Sequence, residues 1–359
     1  MKQRNINLDL IRCVAVIFVL SVHFYLKLGF YDTSCVGKRM WVLCLLRTLF
    51  ITCVPLFLML TGYLMNKKEL SFSYYKGIKK TYSIYVLISI ACLIFRTLYL
   101  HEEIGKRRMI LEILDFTADN YAWYIEMYIG LFLLIPFLNI LWNNLDGKKR
   151  KWVLLTLITL STLPSFFNCW NFLPADNGGY NTIFPDYWEG LYPFTYYFLG
   201  AYLSSKENSK KTWRLKSIII LVLMISFGSF TYIRSYSGNY EELSYNNYQG
   251  IQVVIMAFLI FKILLALPLQ KIPNIIKQGI SKVSELSLGI YLASSISDKI
   301  VYPHLQEAIP NLVYKFEFLP VAVGCTFLLS LIISLVADII YKGVNGIITI
   351  FCVRSKQKS

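Results

Sequence analysis

The sequence predicts an all-α integral membrane protein, a helix bundle that crosses the bilayer about ten times. The 359 residues are 56% hydrophobic and only 16% charged, whereas soluble domains carry about 25% charged residues and cannot bury so much apolar surface. The apolar stretches between polar breaks also run for about 17–25 residues, which is the length of a helix that crosses the hydrocarbon core.

These stretches place ten predicted helices along the chain. They cover residues 7–27, 41–65, 80–100, 120–141, 151–168, 190–204, 215–234, 249–268, 284–302 and 318–345. The sixth is short and contains Pro193, so we expect it to be tilted or partly buried in the bundle. The ninth is the least hydrophobic, so we expect it to face other helices. No connecting segment is long enough to form a domain, and residues 1–359 are predicted to form one membrane-embedded domain.

The formal net charge of +15 is concentrated in alternate connecting segments. The basic segments are the N-terminus, 66–80, 146–151, 205–216, 271–282 and the C-terminal tail. The loop over residues 168–190 has no Lys or Arg. By the positive-inside rule, both termini are predicted to be cytosolic, in a multi-pass protein of the cytoplasmic membrane. Basic loops beside spans favour anionic lipid or an anionic cytosolic ligand over nucleic acid.

Three ionisable side chains lie on the first predicted helix: Asp9, Arg12 and His23. At 100° per residue they share one face, and Arg12 and His23 are separated by about 16 Å of helix rise. An Asp or Arg at the bilayer centre costs roughly 2.5–3.5 kcal/mol, so such residues usually line a pathway or a site. His also exchanges protons near neutral pH. The alternative is an Asp9–Arg12 pair that stabilises the helix end, with His23 bonded to a neighbouring helix.

This helix, with its Arg12-x10-His23 spacing, resembles the first helix of the integral-membrane type-3 acyltransferases. These are mainly bacterial enzymes that O-acylate surface polysaccharides and related glycans. Four further stretches resemble motifs of the same family in order and spacing, so that the resemblance covers essentially the whole chain. They are Cys53–Lys68, Tyr121–Pro136, Tyr196–Ser204 and Ile280–Ser295.

The resemblance implies a membrane O-acyltransferase, most simply an O-acetyltransferase. It implies acetyl-coenzyme A or a related acyl-CoA as cytosolic donor, and a hydroxyl of a cell-surface polysaccharide or lipid-linked glycan as acceptor. Arg12 is expected to bind CoA phosphates together with Lys76, Lys79 and Lys80. His23 is expected to act as general base on the acceptor, or as a nucleophile through an acyl-imidazole. Asp9 completes the predicted catalytic stripe with Arg12 and His23.

Two positions depart from the family pattern. The family's Arg-x-x-Arg pair after the second helix is replaced by lysines, which keep the charge without the bidentate geometry of guanidinium. Ser294 stands where many members carry a second His. The sequence leaves open whether Ser294 replaces that His in the mechanism.

Four more residues are candidates for the site. Arg47 and Glu126 are expected at a similar depth, and a buried pair between them is the favoured interpretation. In the alternative, Glu126 orients or deprotonates His23 or the acceptor, and Arg47 contacts the substrate. Trp123 and Tyr124 are either interfacial aromatics or a stacking platform for a sugar ring.

Neither the histidines nor the carboxylates have the spacing of metal ligands, so no metal cofactor is expected. The alternative function is a transporter or flippase for a polar solute or lipid-linked sugar, because intramembrane charges and basic cytosolic loops fit it too. The paired broken helices typical of inverted-repeat transporters are not apparent in the sequence.

Overall fold

The computed structural model describes residues 4–119, 121–174, 180–206, 212–241 and 244–356. This part of the chain is helical apart from its connections and a two-residue antiparallel hairpin of β1 (Leu173–Pro174) and β2 (Tyr180–Asn181). The helices, in chain order, are α1 (Ile6–Lys27), α2 (Gly37–Phe50), α3 (Cys53–Met65), α4 (Phe72–Lys76), α5 (Lys79–Leu98), α6 (Lys106–Leu114), α7 (Trp123–Asn143), α8 (Gly147–Asn168), α9 (Tyr192–Ser204), α10 (Trp213–Arg234), α11 (Ile251–Leu265), α12 (Asn274–Ala308), α13 (Leu312–Lys315) and α14 (Leu319–Lys356).

Six of the ten predicted spans are long and apolar enough to cross a membrane within the described ranges. They correspond to Ile6–Lys27, Gly37–Met65, Phe72–Leu98, Trp123–Asn143, Trp213–Arg234 and Val313–Gly346. The remaining four predicted spans overlap α8, α9, α11 and α12, of which α9 has 13 residues and α11 has 15. The chain is therefore an all-α membrane protein, but length and composition support fewer spans than the sequence predicted.

The longest fully described helix, α12, is a central packing element of the bundle. It has 35 residues and packs against α1, α5 and α14. Its middle turns carry Ser, Gly and Ala, which are largely buried and let neighbouring helices approach closely. At Gly289, a Cβ atom would overlap the side chain of Ser334 on α14. The expectation that this segment faces other helices matches its burial.

A second close crossing joins α3 to α9. A Cβ atom at Gly62 would overlap the carbonyl oxygen of Tyr197, and one at Gly200 would overlap the carbonyl oxygen of Met59. Pro193 lies in the first turn of α9, where its missing N–H leaves no helix bond unmade. Pro193 therefore begins this helix rather than breaking it.

The bundle has two ends, which we name from α1. The basic end is where α1 begins, and there Asn7 donates from Nδ2 to the carbonyl oxygen of Leu264 at the end of α11, at 2.9 Å. The opposite end is where α1 finishes. There the N–H of Cys35 donates to the carbonyl oxygen of Gly238 at 2.8 Å. The start of α1 and the end of α11 therefore lie at the basic end, and the connections after α1 and α10 meet at the opposite end.

Candidate active site

A cavity of about 300 Å³ lies inside the bundle near the basic end. Residues of α1, α3, α5, α7, α12 and α14 line it. Helix α1 contributes Arg12 and Val19, and α5 contributes Lys80, whose side chain is 44% exposed and marks the opening. Tyr124 of α7 and Tyr291 of α12 lie farther in. The cavity therefore follows α1 from Arg12 toward the middle of the bundle.

Three lysines and two carboxylates meet at the opening, and we call Lys80, Lys282, Lys342, Glu285 and Asp338 the mouth cluster. The Nζ atom of Lys342 lies 2.7 Å from Asp338, and those of Lys282 and Lys80 lie 3.6 and 3.7 Å from it. Glu285 lies 3.6 Å from both Lys80 and Lys342. Three positive and two negative charges leave one positive charge in excess, which favours an anionic ligand at this opening.

Arg12 lines the cavity just inside this opening. Its guanidinium donates to Oγ of Ser284 at 2.9 Å and lies 4.0 Å from the carboxylate of Asp9. Asp9 is instead paired with Arg4, at 2.6 and 3.0 Å, and accepts from Ser284 at 2.6 Å. Asp9 therefore anchors the start of α1. This placement does not fit the predicted catalytic role for Asp9, because fourteen helical residues separate it from His23, about 21 Å of rise.

The three lysines predicted to bind CoA phosphates, Lys76, Lys79 and Lys80, do not all line the cavity in the structure. Lys80 lines the cavity, whereas Lys76 and Lys79 are exposed and do not. The Nζ atom of Lys76 lies over the ring of Phe72, 4.7 Å from its centroid. Lys79 and Lys80 are consecutive in the first turn of α5, so their side chains leave the helix about 100° apart, and only Lys80 lies at the cavity. Lys282 and Lys342, which were not among the predicted residues, lie beside Lys80 at the opening and pair with Asp338.

His23 is buried toward the opposite end, with 5% of its surface exposed. Its Nδ1 atom lies 3.1 Å from Oγ of Ser294 and 3.3 Å from Oδ2 of Asp298. The hydroxyl of Ser294 donates to the carbonyl oxygen of Tyr291 at 2.6 Å, so its Oγ is left to accept from Nδ1–H. This network assigns the proton to Nδ1 and the lone pair to Nε2. The imidazole is therefore arranged as a base at Nε2.

Tyr121 contacts both His23 and Asp298. Its ring stacks on the imidazole of His23, with 3.7 Å between centroids and 20° between planes. Its hydroxyl donates to Oδ2 of Asp298 at 2.7 Å. A base whose second nitrogen is oriented by a buried carboxylate is the arrangement that stabilises an imidazolium formed during proton transfer. Tyr121 thus fixes the ring plane of the base and the position of its carboxylate.

Asp298 is the residue that sequence analysis missed. It is 1% exposed, and its Oδ1 atom has no hydrogen-bond partner among the described residues. Its charge within the predicted ninth helix was a usable signal, since ionisable residues inside a membrane protein usually belong to a site. Its contact with His23 comes from the packing of α12 against α1.

The predicted pair of Arg47 and Glu126 is wrong. Arg47 is 1% exposed and donates to the hydroxyl of Tyr31 and the carbonyl oxygen of Asn246, whereas Glu126 lies exposed on α7. Neither residue lines the cavity or contacts His23 in the described structure. The hydropathy pattern placed both at one depth, but the faces of α2 and α7 that carry them do not meet.

Trp123 and Tyr124 lie in different surroundings. Tyr124 lines the cavity and packs edge-on against Tyr291, 5.9 Å between centroids. Trp123 is 38% exposed at the start of α7, and its ring stacks on Tyr248, with 5.8 Å between centroids and 26° between planes. Tyr124 thus lies inside the bundle, whereas the neighbouring Trp123 lies at its surface at the opposite end.

The site combines an imidazole that contacts a buried carboxylate with a cavity that has a cationic opening. Among the described residues there is no group of three or more His, Cys, Asp or Glu side chains placed to hold a metal ion. Chemically, an imidazole held in this way is suited to proton abstraction. Such a base activates a hydroxyl for attack on a carbonyl carbon.

Comparison with known families identifies the chain. A family model described as an acyltransferase domain matches residues 5–339, which include the cavity, the mouth cluster apart from Lys342, and the His23 site. No curated protein and no solved structure matches the chain. The family match does not favour the transporter alternative. The chain belongs to the type-3 acyltransferase family and is a membrane acyltransferase.

Proposed function

We propose that this enzyme transfers an acyl group, most simply acetyl, from acyl-CoA to a hydroxyl of a cell-surface polysaccharide or lipid-linked glycan. One observation carries the proposal: the cavity follows α1 from a cationic opening toward His23, whose Nδ1 is held by Asp298. The donor and the acceptor then approach the same base from different ends of the bundle.

The basic end accommodates the charged part of the donor. Arg12 and the lysines of the mouth cluster offer charged donors for the phosphates of CoA. The pantetheine arm then lies along the cavity, whose inner lining includes Phe57, Leu60 and Ile125. The positive-inside rule turns this end toward the cytosol, where acyl-CoA is present, in the cytoplasmic membrane.

The chemistry follows from the free lone pair of His23. Nε2 takes the proton of the acceptor hydroxyl while its oxygen forms a bond to the thioester carbonyl carbon. The C–S bond then breaks, and His23 returns the proton to the CoA thiolate. The carboxylate of Asp298 stabilises the imidazolium between these steps. A route through an acyl-imidazole uses the same Nε2 atom as nucleophile.

The opposite end offers an approach for the acceptor. Trp123 is exposed there and stacks on Tyr248, and Tyr248 lies 5.8 Å from Tyr192 between ring centroids. Aromatic faces of this kind pack against the apolar faces of sugar rings. We therefore place the glycan over the Trp123–Tyr248 pair, with its reacting hydroxyl directed inward toward His23.

The direct test uses purified protein in lipid nanodiscs with labelled acetyl-CoA and glycan. The proposal predicts release of CoA thiol and transfer of label to the glycan, both dependent on the enzyme. A deletion strain should also lose O-acetyl mass from a surface glycan. Uptake of solute into liposomes without CoA turnover would instead support the transporter.

A further inference from the structure

The donor cavity stops one helical turn short of His23. Val19 is the last residue of α1 that lines it, and His23 follows four residues later, about 6 Å along the helix axis. His23 itself does not line the cavity. Tyr124 and Tyr291 line its inner part, and the ring of Tyr291 lies 6.3 Å from that of His23 between centroids. These tyrosines therefore form a wall between the donor and the base.

Tyr291 is held in this wall by contacts on the side of the base. Its hydroxyl donates to the carbonyl oxygen of Tyr121, whose ring stacks on His23. Its own carbonyl oxygen accepts from Ser294, which contacts Nδ1 of His23. Tyr121 and Ser294 thus contact both Tyr291 and His23. A movement of Tyr121 or α12 that shifts His23 therefore also breaks the contacts that hold Tyr291.

We propose that Tyr291 is a specificity-determining residue that favours acyl transfer over hydrolysis of the donor. The inference rests on the proposed function. With the wall closed, a bound thioester does not contact His23. The wall opens when the acceptor contacts the exposed Trp123 at the start of α7 and shifts Tyr121, which lies two residues before it. Gating of this kind keeps a reactive group from water until the correct partner is bound.

The reaction that the wall prevents is hydrolysis of the acyl-CoA thioester. Without a glycan, Nε2 of His23 takes a proton from water, and the water oxygen bonds to the thioester carbonyl carbon. The C–S bond breaks, and the proton passes to the CoA thiolate. The products are a carboxylic acid and free CoA. Removal of the wall is therefore expected to convert the enzyme partly into an acyl-CoA hydrolase.

The test measures acyl-CoA hydrolysis without glycan in Tyr291→Ala and Tyr291→Phe. We expect Tyr291→Ala to raise the ratio of hydrolysis to transfer several-fold, and Tyr291→Phe, which loses only the hydroxyl bond, to raise it less. The increase in the rate of acyl-CoA hydrolysis must disappear when His23→Ala is added to Tyr291→Ala. Tyr85→Phe is the matched control, because buried Tyr85 also donates to a backbone carbonyl oxygen, that of Ile113 at 2.6 Å, and lies away from the cavity.

A second measurement does not depend on turnover. In a background without native cysteines, we expect the new thiol of a His23→Cys variant to react slowly with a water-soluble thiol reagent that enters from the basic end. Adding Tyr291→Phe or Tyr291→Ala should accelerate this reaction. A wild-type enzyme that neither binds nor consumes acyl-CoA would refute the proposed function. An enzyme that transfers acyl groups, but whose Tyr291 variants change neither the hydrolysis ratio nor the thiol reaction, would refute the wall alone.

Discussion

The properties of His23 depend on the two groups that contact its Nδ1 atom. Ser294 accepts from Nδ1–H beside Asp298. The sequence could single out His23 and Arg12 as candidates, because each is costly in an apolar helix. It could not identify the role of Asp298, because the contact arises only when α1 and α12, which are remote in sequence, pack together.

The Asp298→Asn variant tests the orienting role of this carboxylate. An amide cannot stabilise the imidazolium as a carboxylate does, so we expect kcat to fall by about 10²–10⁴-fold, the range typical of general-base catalysis. The KM for acyl-CoA should change little, because Asp298 does not line the donor cavity. Asp298→Glu is expected to restore part of the activity. A raised KM with unchanged kcat would contradict this role.

Asp119, in the connection before α7, gives a pH prediction. It is buried, its Oδ1 accepts the N–H of Tyr121 at 2.8 Å, and burial raises the pKa of its carboxyl to about 7. Because this pKa is higher folded than unfolded, folding favours the protonated form. That contribution is present below about pH 4 and is lost as the pH rises through about 7. The melting temperature of Asp119→Asn should therefore depend less on pH across this range than that of the wild type.

The matched control for this prediction is Asp115→Asn. Asp115 lies four residues earlier in the same connection and is exposed. We expect the control to keep the pH dependence of the wild-type protein. Equal slopes of melting temperature against pH for Asp119→Asn and the wild type would contradict the assignment.

The sequence predicts helices well where a long apolar stretch defines them. It predicts them less well where contacts with other helices decide their bounds. Helix α6 was not predicted, because its nine residues begin with three basic ones and its position depends on Arg96, which pairs with Glu112 at 2.6 Å. Helix α12 begins ten residues before its predicted start, in a segment that carries Lys277 and Lys282 and lacks the apolarity of a span. The hydropathy pattern also does not predict the close crossing of α3 and α9.

That crossing predicts strict size limits at Gly62 and Gly200. A methyl group at either position overlaps a backbone carbonyl of the other helix. We therefore expect Gly62→Ala and Gly200→Ala each to destabilise the protein by about 1–3 kcal/mol, the usual cost of overpacking. Thermal unfolding in detergent measures this. Gly130→Ala on α7 is the control, since nothing lies within 4 Å of a Cβ there, and an equal loss in it would contradict the crossing as the cause.

The arrangement of charge predicts an orientation of the protein in the membrane. The mouth cluster lies at the basic end, together with Arg4, which donates to the carbonyl oxygen of Ser281 at 2.9 Å. Arg4 and the first turns of α12 therefore lie at one end of the bundle. The sequence could predict this grouping from loop charges, whereas the sharing of Asp338 by three lysines required the packing of α5, α12 and α14.

Labelling of single cysteines tests the orientation. Lys149, in the first turn of α8, is exposed at the basic end, and Tyr187, before α9, is 93% exposed at the opposite end. In a background without native cysteines, an impermeant thiol reagent should label Tyr187→Cys in intact cells, and Lys149→Cys only after permeabilisation. The reverse pattern would place the cationic opening outside the cytosol and exclude cytosolic acyl-CoA as its ligand.

The most direct test of the whole account is acyl transfer from labelled acetyl-CoA to glycan by purified His23→Ala, with His304→Ala as control. His304 is exposed and remote from the cavity. We expect His23→Ala to lose about 10²–10⁴-fold in transfer rate and still to bind acyl-CoA. His304→Ala should keep its activity. Near-full transfer by the His23→Ala enzyme would contradict the central claim that this imidazole is the base.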